Sequence, residues 1–118
     1  MKAVIDTNVL IDFLNGAEKA RNELSLYDKP CISLITWMEV LVGAKESEEE
    51  LIRNYLSGFQ LIPIDREVAE TAVKKRRDRG IRLPDAIIWA SAEMGNLVLV
   101  TCNTRDFPAD HPGIRVPY

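Results

Sequence analysis

The run LVLVT, residues 97–101, is the most strand-like segment of the chain and the one that most constrains its fold. An unbroken run of this kind is typical of a strand inside a parallel sheet, where both faces are covered. Shorter runs with strand character occur as AVI at 3–5, CIS at 31–33 and FQLIPI at 59–64, with RVP at 115–117 as a further edge strand. The chain is therefore expected to form a sheet.

Segments with helical spacing separate these runs. Helices are predicted over 9–14 and 17–26, after the capping residues Ser33, Ser47 and Asp65, and over 84–94, where Pro84 lies in the first turn. In the helix after Ser33, the apolar positions Leu34, Met38, Leu41 and Val42 recur at spacings of three and four residues. In the helix after Ser47, Leu51 is expected to be buried.

Strands that alternate with helices over the whole length predict an α/β fold, a three-layer sandwich with a central, mostly parallel sheet flanked by helices. The chain has 118 residues, of which 47% are hydrophobic and 28% charged, and it contains no Ser/Gly-rich linker. We expect residues 1–118 to form a single domain.

Composition argues against several classes of protein. The formal net charge of -3 does not by itself indicate a partner with a phosphate backbone. The chain contains neither a signal peptide pattern nor an apolar run long enough to span a membrane, so a cytoplasmic protein is expected. Cys31 and Cys102 lie far apart in apolar settings and are expected to be free, structural thiols.

Four of the 18 acidic residues lie in apolar or strand-end surroundings: Asp6, Glu39, Asp85 and Asp106. Each has a structural explanation. Asp6 and Asp85 are placed to favour a helix N-terminus, Glu39 stands three residues after Thr36 as in a capping box, and Asp106 could organise a turn.

Together the four acids suggest a metal site. Asp6 and Asp106 follow strands, while Glu39 and Asp85 fall in the early turns of helices, so all four are expected at the edge of the sheet where ligands bind. Clustered carboxylates without basic partners favour a hard divalent cation, Mg²⁺ or Mn²⁺, and the lone His111, expected in an exposed loop, offers no zinc site. Such an ion can activate water for phosphodiester hydrolysis.

The motifs around these acids resemble those of the PIN-domain nucleases, and most of all the VapC-type toxins of toxin-antitoxin pairs. They are Asp6-Thr7-Asn8, Thr36-x-x-Glu39, Leu83-Pro84-Asp85-Ala86 and the segment from Val100 to Phe107. The resemblance implies a PIN-like fold, an acidic pocket for Mg²⁺ or Mn²⁺, and cleavage of single-stranded or loop RNA. It also implies a homodimer and a small antitoxin of the VapB type that lies across the acidic groove.

Carried over to this chain, the resemblance makes Asp6, Glu39, Asp85 and Asp106 the catalytic, metal-binding acids. Some relatives have an acid at the position of Asn103, so the amide here is a departure from the family. The residues expected to support the acids are Thr7, Asn8, Asn103 and Thr104.

The segment KKRRDRGIR, which leads into Asp85, carries the residues that could hold RNA phosphates: Lys74, Lys75, Arg76, Arg77, Arg79 and Arg82. A solvated helix end with favourable cations explains it equally well. Trp37 and Trp89 lie on apolar helix faces, and packing is expected of them rather than base stacking.

Two other functions remain open. A phosphatase of the HAD type also places an acid after its first strand, but it requires a second Asp at the position occupied here by Asn8. A PIN scaffold that binds without cleaving is compatible with Asn103.

Overall fold

A computed structural model describes residues 2–118. The strands are β1 (Ala3–Ile5), β2 (Cys31–Ser33), β3 (Gln60–Ile62), β4 (Val98–Val100) and β5 (Ile114–Arg115). The helices are α1 (Thr7–Leu14), α2 (Glu18–Leu24), α3 (Leu34–Val42), α4 (Glu49–Leu56), α5 (Arg66–Arg79) and α6 (Leu83–Met94), and a 3₁₀ turn (Glu46–Glu48) precedes α4.

The five strands form one sheet in the order β3-β2-β1-β4-β5, and all four pairings are parallel. The predicted α/β fold with a parallel sheet is confirmed. The LVLVT strand is interior, although β1 rather than β4 takes the central position. The last strand begins one residue earlier than predicted and lies at the edge, as expected.

Side chains of the inner strands alternate between two cores, one on each face of the sheet. Val4 and Leu99 pack with α5 and α6, whereas Ile5 and Val100 pack with α1 to α4. Fully burying one such side chain is worth roughly 1.5–3 kcal/mol, so the strand that ends at Asp6 is firmly held. The three-layer arrangement follows from this alternation.

Local capping agrees with the sequence in two of three places. The Ser33 side chain accepts from the N–H of Ile35 at 3.3 Å, and the Asp65 side chain accepts from the N–H of Val68 at 2.9 Å. Ser47, however, lies in the 3₁₀ turn, and α4 begins two residues later at Glu49. The prediction that Ser47 begins this helix is therefore wrong.

Leu51, which was predicted to be buried, is 73% exposed, and two of the apolar positions of α3 are exposed as well, Met38 at 38% and Val42 at 87%. Helix α3 buries Thr36 and Val40, so Met38 and Val42, which are four residues apart, share the opposite face. Leu51 lies one helical step away from the inward stripe of α4.

None of the helices within residues 2–118 has both the length and the apolar character needed to cross a membrane. Within the same range, Cys31 and Cys102 are both free, as predicted, and Cys31 is buried. Trp89 is buried at 2% exposure, which confirms its predicted packing role.

Candidate functional site

The carboxyl ends of β1 and β4 lie side by side at the point where the chain changes direction across the sheet. From β1 the chain proceeds to β2 and β3 on one side, and it then returns to β4 and β5 on the other. Crevices at such a switch point are the usual ligand sites of open parallel sheets. Asp6 follows β1, and the loop that carries Asp106 follows β4.

Asp6 is 3% exposed and caps helix α1. Its Oδ1 accepts from the N–H of Thr7 at 2.8 Å, and its Oδ2 accepts from Asn8 Nδ2 at 3.1 Å and from the Thr101 hydroxyl at 2.7 Å. All three donors are neutral. Among residues 2–118, no basic side chain forms an ion pair with this carboxylate.

Glu39 is brought to the site by the second turn of α3. The Thr7 hydroxyl donates to Glu39 Oε1 at 2.7 Å and lies 3.0 Å from the Thr36 hydroxyl, which is buried. Because α3 begins at Leu34 with Ser33 as its cap, Thr36 and Glu39 do not form a capping box. Thr7 therefore links the acid of α3 to the start of α1.

Asp85 lies in the first turn of α6 and has 6% exposure. Nε and Nη2 of Arg82 both lie 3.2 Å from its Oδ2, so this acid has a basic partner. The assumption that all four acids lack basic partners is thus wrong for Asp85. The carboxylate of Asp106 lies near that of Asp85.

Asp106 is half-buried and is held by the turn that follows β4. Asn103 Nδ2 donates to Asp106 Oδ2 at 3.0 Å, while the Asp106 N–H donates to Asn103 Oδ1 at 3.3 Å. The N–H of Asn103 donates in turn to the Thr101 hydroxyl at 3.0 Å. Through Thr101, the turn that orients Asp106 is hydrogen-bonded to Asp6.

The acidic pocket, meaning the surroundings of Asp6, Glu39, Asp85 and Asp106, has an excess of negative charge. Burial raises the pKa of Asp6 to about 6, against the hydrogen bonds from Thr101 and Thr7, and the charges of Asp85 and Glu39 raise it further. Burial likewise raises the pKa of Asp85, which Arg82 opposes and Asp106 reinforces. A cation in the pocket would relieve both effects.

The donor chemistry fits a hard divalent ion, because every acidic ligand candidate offers oxygen. Within residues 2–118, however, no group of three or more Asp, Glu, His or Cys side chains is placed to hold a metal ion. Arg82 occupies one oxygen of Asp85, so ion binding at that oxygen requires the guanidinium to move aside.

Three of the four residues expected to support the acids form hydrogen bonds with them. Thr7, Asn8 and Asn103 all donate to an acid, and Asn8 Oδ1 also accepts from the N–H of Cys102 at 3.3 Å. Thr104 is exposed, and its N–H donates to the Cys102 carbonyl. Sequence reasoning missed the Thr101 hydroxyl, whose only signal was a polar residue at the end of an apolar strand.

The basic segment divides into two groups. Lys75 Nζ lies 2.6 Å from Glu93 and 4.3 Å from the centroid of the Trp89 ring, and the Arg79 guanidinium lies 4.5 Å from the same ring. Lys74, Arg76, Arg77 and Arg82 are exposed.

His111 also packs edge-on against Trp89 and is half-buried, so the prediction of an exposed loop residue is wrong.

An apolar groove of about 750 Å³ lies between α1, α3 and α4. Its lining includes Val40, which follows Glu39 in α3, together with Ile11, Leu14 and Leu51, which are 41%, 37% and 73% exposed. The same two helices, α1 and α3, thus contribute to the acidic pocket and to the groove.

Comparison with known proteins gives a consistent result. Residues 3–109 match the model of the family described as PIN domain. The chain is 31% identical to the tRNA(fMet)-specific endonuclease VapC of Salmonella typhimurium, with 98% of this chain and 96% of the relative covered. It is 30% identical to Ribonuclease VapC10 of Mycobacterium tuberculosis, with 89% and 85% covered.

A solved structure is also similar. It is described as a toxin-antitoxin complex from Klebsiella pneumoniae, and a chain of it superposes with a TM-score of 0.93 at 46% sequence identity. The alignment covers 98% of both chains.

Proposed function

The chain belongs to the PIN domain family, within its VapC-type nucleases, and on this basis we propose that it is a Mg²⁺- or Mn²⁺-dependent endoribonuclease. The resemblance inferred from the four acidic motifs is confirmed, and so is the expectation of a nuclease. PIN nucleases generally use divalent metal ions. We propose Mg²⁺ or Mn²⁺ as the ion and single-stranded or loop RNA as the substrate.

The environment of Asp6 carries the proposal. A buried carboxylate normally has a cationic partner or becomes protonated, since an isolated buried charge is costly. Asp6 instead has three neutral donors, and burial, reinforced by the charges of Asp85 and Glu39, raises its pKa. This arrangement leaves negative charge unbalanced at the edge of the sheet where ligands bind, and a divalent cation would balance it.

In this proposal Asp6, Glu39, Asp85 and Asp106 would hold the ion after their side chains move closer together, because no three of them are placed to hold it in the structure. When bound there, it supplies activation of water and neutralisation of charge at the scissile phosphate. Thr7, Asn8, Thr101 and Asn103 fix the orientation of the carboxylates through the hydrogen bonds described above. Exposed cations of the 74–82 segment contribute to RNA affinity through the phosphates.

The two alternatives fare differently. Membership of the PIN family excludes the HAD-type phosphatase. The hypothesis of an inactive scaffold depended on the amide at Asn103, but both polar atoms of this amide form hydrogen bonds with Asp106. An amide that orients an acid supports an intact site.

We further propose that the partner is a small antitoxin of the VapB type. The similarity to a chain of a toxin-antitoxin complex supports this. The apolar groove beside the acidic pocket offers such a partner a surface next to Glu39. The homodimer stays a prediction, which light scattering of the purified protein checks.

The proposal is tested by incubating the purified protein with single-stranded RNA and Mg²⁺. Cleavage is expected with the wild type and with Asp110→Asn, which changes an exposed acid outside the pocket. No cleavage is expected with EDTA or with Asp6→Asn. The proposal fails if the wild type does not cleave RNA, or if cleavage persists in both of these conditions.

A further inference from the structure

Arg82 forms an ion pair with Asp85, one of the four candidate metal-binding acids. It is the residue before α6, and both Nε and Nη2 lie 3.2 Å from a single oxygen of Asp85. The side chain of Arg82 is 76% exposed, whereas that of Asp85 is 8% exposed. The pair therefore joins a buried acid to an exposed guanidinium.

The charge of Arg82 acts on more than one acid. It is close enough to interact with Asp106 and Glu39 as well as with Asp85. By contrast, Arg66 and Glu70 form an ordinary surface pair at 3.7 Å, in which both side chains are largely exposed. Arg82 thus acts as a counter-ion for Asp85, Asp106 and Glu39.

A divalent ion and this guanidinium compete for the same site. Two cations near one carboxylate oxygen repel each other, and the repulsion is stronger near buried groups than in bulk water. An ion that binds Asp85 through Oδ2 must therefore displace Arg82. Because the Arg82 side chain is 76% exposed, its displacement disturbs no packed core.

The displaced guanidinium is suited to a phosphate. Arginine presents planar N–H groups that match the oxygens of carboxylates and phosphates, and here two of them already bind one anionic oxygen. After release it remains at the mouth of the pocket in which an RNA phosphate would lie. We propose, on the premise that the proposed function is correct, that Arg82 exchanges Asp85 for an RNA phosphate when a divalent ion binds.

The first test measures Mn²⁺ affinity by isothermal titration calorimetry in the absence of RNA. Arg82→Gln is expected to bind Mn²⁺ about 3- to 10-fold more tightly than the wild type, because the competing cation is gone. Arg82→Lys is expected to fall between the two, since it keeps the charge but loses the fork. Arg66→Gln serves as the matched control and is expected to have wild-type affinity.

The second test measures cleavage of single-stranded RNA at saturating Mn²⁺. Arg82→Gln is expected to raise KM about fivefold or more while Arg66→Gln leaves it unchanged, because one phosphate contact is lost. Tighter Mn²⁺ binding together with a higher KM is the signature of the exchange. Wild-type or weaker Mn²⁺ binding by Arg82→Gln overturns it, and so does an unchanged KM.

Failure of this inference differs visibly from failure of the proposed function. If the wild type cleaves RNA and binds Mn²⁺ but Arg82→Gln behaves like Arg66→Gln, only the exchange is wrong. If the wild type neither binds Mn²⁺ nor cleaves RNA, the metal-dependent nuclease is wrong, and the exchange falls with it.

Discussion

Asp6 and Glu23 are both buried carboxylates, with 3% and 6% exposure, yet their surroundings are opposite. Glu23, on α2, receives Arg115 Nε at 2.6 Å, Arg115 Nη2 at 2.9 Å and the Tyr27 hydroxyl at 2.5 Å. Asp6 receives neutral donors only. Both acids are fully hydrogen-bonded, but only Glu23 has its charge balanced.

The pKa values of the two acids differ accordingly. Arg115 holds the pKa of Glu23 below its ordinary value despite burial, while burial raises that of Asp6 to about 6. Glu23 ties α2 to β5 through Arg115, whereas no basic side chain within residues 2–118 forms an ion pair with Asp6. Burial alone does not distinguish them; the charge of the partner does.

The largest effect is expected from Asp6→Asn on RNA cleavage. Loss of a charged ligand candidate at the centre of the pocket should reduce the rate by about 10³-fold, since ion-assisted hydrolysis depends on several kcal/mol of charge stabilisation. Single-turnover cleavage assays measure this loss. Glu23→Gln provides the matched control, because it also neutralises a buried acid and should retain the wild-type rate when folded.

The next effect concerns the pH dependence of stability without divalent ions. The pKa of Asp6 is raised from 3.8 to about 6 in the folded state. Its contribution to stability is therefore fully present below about pH 4 and is lost as the pH rises through about 6. At about 1.36 kcal/mol per pKa unit, the loss is about 3 kcal/mol.

Urea unfolding in EDTA at pH 4 and pH 7 checks this expectation. The wild type should lose more stability than Asp6→Asn over that interval. Parallel losses in the two proteins would show that Asp6 carries no uncompensated charge.

Glu23→Gln is expected to lower the free energy of unfolding by about 1–3 kcal/mol at pH 7, because it removes a charge-assisted pair. The lower part of that range is favoured by the 46% exposure of Arg115. The depressed pKa of Glu23 stabilises the fold above the unfolded value of 4.5 and the benefit is lost on acidification. The deficit of the variant, measured by urea unfolding, should therefore shrink toward acid pH; a constant deficit would contradict the ion pair.

The smallest effect is expected from Asp106→Asn. Asp106 is only half-buried, and Asn103 can still hold the amide in place, so cleavage should fall by about tenfold rather than 10³-fold. Steady-state cleavage assays with Asp110→Asn as the exposed control measure this. A loss as large as that of Asp6→Asn would make Asp106 an equal partner in the pocket.

Much of the fold could be predicted from local patterns. The strands at 3–5 and 31–33 and the caps Ser33 and Asp65 depend on neighbouring residues, and the structure contains them as predicted. The exposure of Leu51 could not be predicted, because it depends on how α4 is rotated against α1 and α3. The expectation that the four acids share one edge of the sheet, drawn from strand ends and helix starts, stays a prediction.

The side-chain contacts inside the site were harder to predict from the sequence. Thr101 lies 95 residues from Asp6, and no local pattern signals that its hydroxyl would donate to this carboxylate. Arg82 is only three residues from Asp85, but its spacing is equally compatible with a solvent-facing cation. Side-chain rotamers across elements decide such contacts, and sequence periodicity does not report them.

The central claim is that the acids around Asp6 form a divalent-cation site and that Glu23 lies outside it. Thermal unfolding with and without Mn²⁺ tests this most directly, because an ion that binds only the folded state raises the unfolding temperature. The wild type and Glu23→Gln should each gain several degrees in saturating Mn²⁺, and Asp6→Asn should gain none. An equal gain in all three proteins, or no gain in the wild type, would contradict the claim.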